Sequence, residues 1–286
     1  MALFTFFLSA ILVSTFACGV LSLFGSIVIA RERITNVLFY SQTAKIGMVL
    51  GLFLNTVLDS KSTLTPFLFS LLLTAIFYIV SEYIGAKALA NKEAIFLALF
   101  AIASQMEELF LFLFKGVEKH ELGQFYGDIV TIEGEHIFWL SVITFLFLII
   151  FIFYEKKWFI ESFNQMILKI KNKNFDNFVL YHVSVMIFIT ICVLFMGLWL
   201  TIVSLLVPSI FLSKLPFKNR WIYYAVLFFV SAGGCSLGFV GSLLIESIPT
   251  TPLIICMIGL TTFFVRIVIK INLTNQPNIN LEVKSL

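Results

Sequence analysis

The chain has 286 residues, of which 60% are hydrophobic and only 12% charged, and its mean hydropathy is +1.05. A soluble globule of that composition would lack the polar residues to coat its surface, so lipid is the solvent for most of the chain. The formal charge of +3 is small and nothing resembles a basic nucleic-acid patch, so no nucleic-acid partner is expected.

A helix needs about 20 apolar residues to cross the hydrocarbon layer. By that rule the chain divides into about nine spans: 3–29, 36–57, 65–85, 93–114, 136–154, 179–195, 198–213, 221–241 and 252–271. The first lacks the cationic start of a secretory signal and runs on to Ala30, so it reads as a retained span. Thr65-Pro66 marks the start of the third span, and Pro249 and Pro252 mark the eighth gap. Residues 179–213 are too long for one helix and divide near Gly197. The expected fold is an all-α polytopic transmembrane bundle, one domain over 1–286. It carries an amphipathic loop at 155–178 and a short tail at 272–286.

Lys and Arg counts orient the bundle. With the segment after the first span cytoplasmic, that side holds fifteen basic residues and the other only Lys61, Lys115 and Lys119, while Lys45 lies inside a span. The N-terminus is therefore expected outside and the C-terminus in the cytoplasm. The longest cytoplasmic loop, Glu155 to Phe178, carries Phe159, Phe163, Ile167 and Ile170 at helical spacing. Such a stripe suits a helix lying on the membrane surface or one docking a soluble partner.

Ser14, Cys18, Ser22, Ser26 and Ala30 give the first span one face of small side chains. Gly47 with Gly51, and Gly234, Gly238 and Ser242, make similar ridges in the second and eighth spans. Helices approach closely along such ridges. Cys18, Cys192, Cys235 and Cys256 fall in apolar stretches without CxxC spacing and read as buried apolar cysteines.

Ionisable groups at membrane depth are costly and point to function or to a buried partner. Glu82 and His182 lie within a turn of the interface and are expected to snorkel. Glu107 and Glu108 sit in the outer third of the fourth span. Lys45 lies near mid-depth in the second, on one face with Leu38 and Gln42. It is either a structural cation paired with Glu107 or Glu108, or a gating or binding group in a pathway. No HExxH, GxSxG or P-loop lysine motif is present, so neither an enzyme nor a cofactor is indicated.

The order of these features resembles the permease subunits of ABC importers for zinc and manganese, the ZnuB/MntB type. Four places carry the resemblance: Ala17 to Ser26 running into Arg31-Glu32-Arg33; Gln124 to Ile129 with its Tyr-Gly-Asp; Gly197 followed by Ser204 to Pro208 and Lys214; and Gly238, Ser242, Glu246, Pro249 and Pro252. In the last, Glu stands where the family has Asp, and one residue is inserted before the first Pro.

The resemblance implies a homodimer in a bacterial inner membrane, driven by separate ATP-binding subunits and supplied by an external solute-binding protein. It also implies that 155–178 holds the helix that docks on the ATPase, with Phe159, Phe163, Ile167 and Ile170 as contacts. The family carries Gly-Asp-x3-His on the second span, where Asp and His are expected to meet the metal. Here Val37 and Leu38 occupy the Gly-Asp positions and Gln42 the His. A carboxylate and an imidazole suit a divalent metal and these replacements do not. The metal ligands are thus unknown, and Leu38, Gln42, Lys45, Glu107, Glu108 and Glu246 are the pathway candidates. A degenerate or non-transporting subunit on the same bundle is the alternative.

Overall fold

The apolar stretches form nine α-helices among the described residues of the computed structural model, which are 2–31, 34–58, 64–87, 92–113, 134–163, 175–217, 219–245 and 249–274. The helices are α1 (Ala2–Ala30), α2 (Ile34–Val57), α3 (Leu64–Lys87), α4 (Lys92–Leu113), α5 (Gly134–Phe163), α6 (Phe175–Met196), α7 (Leu198–Leu212), α8 (Arg220–Leu244) and α9 (Thr250–Thr274). Five of them hold stretches long and apolar enough to cross a membrane alone: Phe7–Ala30, Ile34–Val57, His136–Ser162, Arg220–Leu244 and Thr250–Ile271. Helices α3, α6 and α7 carry shorter apolar stretches, and α4 carries two glutamates in its C-terminal half.

Two helices act as hubs. Helix α1 packs against α5, α7 and α8, whereas α2 packs against α3, α4 and α6, and α9 closes the bundle against α8 and α7. Phe24 of α1 anchors the larger core, with its ring 5.2 Å from Phe188, 5.4 Å from Phe151 and 6.0 Å from Trp158.

All three ridges of small residues are helix contacts. Ser14, Cys18, Ser22 and Ser26 are buried, and next to them the neighbours of Gly25 are the Leu205 carbonyl and the Ser209 hydroxyl of α7. A Cβ on Gly47 would lie 2.6 Å from the Ser70 Cα of α3, and one on Gly234 would lie 2.6 Å from the Ile258 Cα of α9. Serine hydroxyls complete these seams by donating to carbonyls across them: Ser209 to Ser22 at 2.8 Å, Ser231 to Cys18 at 2.9 Å and Ser70 to Ala44 at 2.7 Å. With no water in the bilayer core, dispersion at short separation and such hydrogen bonds hold the helices together.

Residues 179–213 divide at Gly197, as the sequence indicates. Gly197 has φ 82° and ψ 161°, a region open essentially to glycine, and it turns the chain from α6 into α7.

The segment read as a loop from Glu155 behaves differently in its first part. Helix α5 continues without a break to Phe163, so Glu155 to Phe163 extend a span, and Trp158 and Glu155 are buried. Arg31, counted as a loop charge, is likewise buried. It pairs with Glu161 at 3.1 Å, donates to the Trp158 carbonyl at 3.3 Å and lies over the Tyr181 ring at 4.0 Å. His182 does not snorkel. Helix α6 starts at Phe175, two turns before it, and His182 is buried between the rings of Tyr78 and Tyr181.

Candidate functional site

The polar groups at membrane depth meet between α2 and α4. Gln42 and Lys45 are three residues apart and so share one face of α2. Opposite them, α4 buries Phe96, Ala103 and Glu107, which recur at helical spacing. The apolar members of that face pack with Phe39, Tyr40 and Ile46 of α2, and Phe39 lies 6.0 Å from Phe96. Aromatic and alanine packing thus fixes the rotation of α4 and turns Glu107 inward.

The Glu107 carboxylate is engaged at both oxygens. Lys45 Nζ lies 2.7 Å from Oε1, and the Gln42 amide donates to Oε2 at 2.7 Å. Gln42 and Glu107 are buried, and the Lys45 side chain keeps 16% of its surface exposed. A lone ammonium or carboxylate at this depth is strongly disfavoured. Paired, the two charges cancel, and the amide fills a remaining acceptor position.

Glu108, one residue on, points away from α2 and is exposed, so of the two glutamates only Glu107 joins the cluster. Leu38 is half-buried and packs on the larger core. Glu246 lies outside the described residues, as do Ile167, Ile170 and the Tyr-Gly-Asp segment. Phe163 ends α5, and its side chain is outside the described set. Among the described residues no three His, Cys, Asp or Glu side chains come together as a metal site.

Phe159 borders a pocket of about 360 Å³ at the Arg31 end of the bundle. Ile29 and Ala30 of α1, Leu215 and Phe217 of the α7–α8 connection and Arg220 of α8 also line it. Glu155 lies beside it, 3.5 Å from Arg220 and accepting from the Tyr224 hydroxyl at 3.3 Å. Sequence reading missed both carboxylate clusters here. The available signal was two glutamates, Glu155 and Glu161, at the end of a long apolar run flanking a tryptophan.

Comparison with known proteins agrees with this architecture. The pattern of the ABC 3 transport family matches residues 3–270. A chain of PsaBC from Streptococcus pneumoniae in complex with Fab superposes with a TM-score of 0.72 at 15% identity, over 91% of this chain and 90% of that one. An inward-facing metal-chelate type ABC transporter superposes with a TM-score of 0.66 at 16% identity, over 91% and 85%. Curated protein sequences give no match.

Proposed function

Because the chain belongs to the ABC 3 transport family, and is thereby a membrane permease of the metal-type ABC transporters, we propose that it carries a divalent metal ion, zinc or manganese, inward across the plasma membrane. The observation that supports this reading is the extent of the family match, which runs from the first turn of α1 to the last turns of α9. The permease has no chemistry of its own. Two copies form the path, separate ATP-binding subunits drive it from the cytoplasm, and an external solute-binding protein delivers the ion. The fifteen-to-three distribution of basic residues supports an outside N-terminus and a cytoplasmic C-terminus.

In this reading Leu38, Gln42, Lys45, Glu107, Glu108 and Glu246 border the path, and Phe159, Phe163, Ile167 and Ile170 meet the ATPase. The pocket beside Phe159 supports that contact by offering a recess of mixed apolar and polar lining at the expected end. The deciding experiment is a metal inventory of cells with and without the chain under metal starvation, together with copurification of an ATPase from the same membranes. Lower zinc or manganese in the deletion is expected. Unchanged zinc, manganese and iron would sink the import reading.

A second reading is favoured by one observation. The Lys45–Glu107 pair neutralises the only buried carboxylate that faces α2 at this depth among the described residues, which suits a subunit that keeps fold and partners without passing a bare cation. Introducing Leu38→Asp with Gln42→His tests it: gain of zinc or manganese uptake supports a degenerate site, and no gain counts against it.

A further inference from the structure

Helices α8 and α9 enclose a groove of about 520 Å³ along one flank of their packed pair. Its lining on α8 keeps to one helical face, from Ile222 through Phe229 and Gly233 to Leu237, while Thr261 and Val265 of α9 form the other wall. Every lining residue is apolar except Thr261, whose hydroxyl turns back to donate to the Met257 carbonyl at 2.8 Å. Gly233 opens directly onto this space, since a Cβ there would meet no atom within 4 Å.

The dimensions select the occupant. Ile222 and Leu237 are fifteen residues apart, about 22 Å along the helix, so the volume corresponds to a slot of about 24 Å² in mean section, close to 5 Å wide. A helix with its side chains is about 10 Å across and does not enter such a slot. A single methylene chain does, because its carbons need only about 4 Å to their neighbours. Gly233 stands about 16 Å beyond Ile222, half of the roughly 30 Å hydrocarbon layer. The slot thus runs from the interface through one leaflet, the reach of one acyl chain.

The mouth of the groove carries positive charge. Gly234 lies against Ile258 and Gly238 against Ile254, so the two helices are antiparallel and the exposed Lys270 stands level with Ile222. Arg220 opens α8 two residues before Ile222. It pairs with Glu155 at 3.5 Å, yet its side chain stays 38% exposed, and a guanidinium has five N–H donors to share. Trp221 beside it is exposed, a residue type that sits at headgroup level. Cations at such a mouth attract the phosphate of an anionic headgroup.

We propose that the α8–α9 groove binds one acyl chain of an anionic phospholipid, with the headgroup phosphate held at Arg220 and Lys270. The site uses none of the path or ATPase-contact residues named above and does not depend on the cargo.

Native mass spectrometry of the full chain, released from nanodiscs of equal phosphatidylcholine and phosphatidylglycerol, tests it. The wild type is expected to retain phosphatidylglycerol. Gly233→Leu fills the slot and Ala225→Leu narrows it nearer the mouth, and each is expected to lose that lipid. Gly259→Leu keeps it, because its side chain also meets no atom within 4 Å but lies outside the groove. Lys270→Gln is expected to retain phosphatidylglycerol no better than phosphatidylcholine. Unchanged retention in Gly233→Leu and Ala225→Leu, or equal loss in Gly259→Leu, overturns the groove. Equal retention of both lipids by the wild type overturns the anionic headgroup. The groove variants are expected to melt at or above the wild-type temperature in lipid-free detergent, and lipid loss confined to variants that melt lower counts against the site. A change in copy number instead of lipid count in Gly233→Leu gives the groove to a second copy and overturns the proposal.

Discussion

Lys45 of α2 holds Glu107 of α4 at 2.7 Å, and Gln42 binds the other oxygen of the same carboxylate at 2.7 Å. The sequence leaves two glutamates as partners for this lysine. They lie about 100° apart around a helix, and the packing of Phe96 and Ala103 decides between them by turning Glu107 toward α2.

Removing one partner breaks this largely buried ion pair, at a cost of about 3–5 kcal/mol. Lys45→Met and Glu107→Leu are each expected to lower the melting temperature in detergent and the yield of folded protein. Combining Lys45→Met with Glu107→Leu removes both charges and is expected to recover most of the loss. A double variant as unstable as the sum of the singles would show that the pair is not coupled.

Gly25 has the Leu205 carbonyl of α7 where its side chain would be. A backbone atom cannot swing aside, so Gly25→Val forces the helices apart, and overpacking of this kind costs about 1–3 kcal/mol or more. Gly233→Ala is the control. Its side chain would point into open space, and it is expected to be neutral or mildly stabilising. Thermal unfolding of the two variants side by side checks the contrast.

Gly197 sits at φ 82°, where a Cβ is strained by about 1–3 kcal/mol. Gly197→Ala is expected to destabilise by that amount even though alanine favours helix. A stabilised variant would mean that α6 and α7 run on as one helix.

Arg31 combines an ion pair, a carbonyl hydrogen bond and a stack on Tyr181. Lysine supplies a point charge without the planar fork, so Arg31→Lys is expected to lose most of what Arg31→Ala loses. Melting temperatures close to wild type for the lysine variant would reduce the site to simple charge pairing.

Much of this fold is legible in the sequence, because hydropathy reports contact with lipid and the breaks are marked by Gly197 and by prolines. The ridges at Ser14 to Ser26, Gly47 and Gly234 also announce themselves, since small residues at fourfold spacing have few other uses in a membrane. Which helix meets which is not written in hydropathy, so the α2–α4 cluster stayed open between two glutamates. Arg31 and Glu155 were read as loop charges for a similar reason. Charge at the edge of an apolar run looks the same whether the helix stops there or, like α5, continues for two more turns with its polar groups folded inward.

The hydroxyls of Ser209, Ser231 and Ser70 donate to main-chain carbonyls on the neighbouring helix. Main-chain oxygens are present whatever residue bears them, so only one side of each such contact depends on side-chain identity. The bundle is thereby keyed by a short set of small or hydroxyl-bearing positions, while the surface turned to lipid needs only to be oily. Wide sequence drift is compatible with such a scaffold, and specificity for cargo and partner can change without the helices being rearranged.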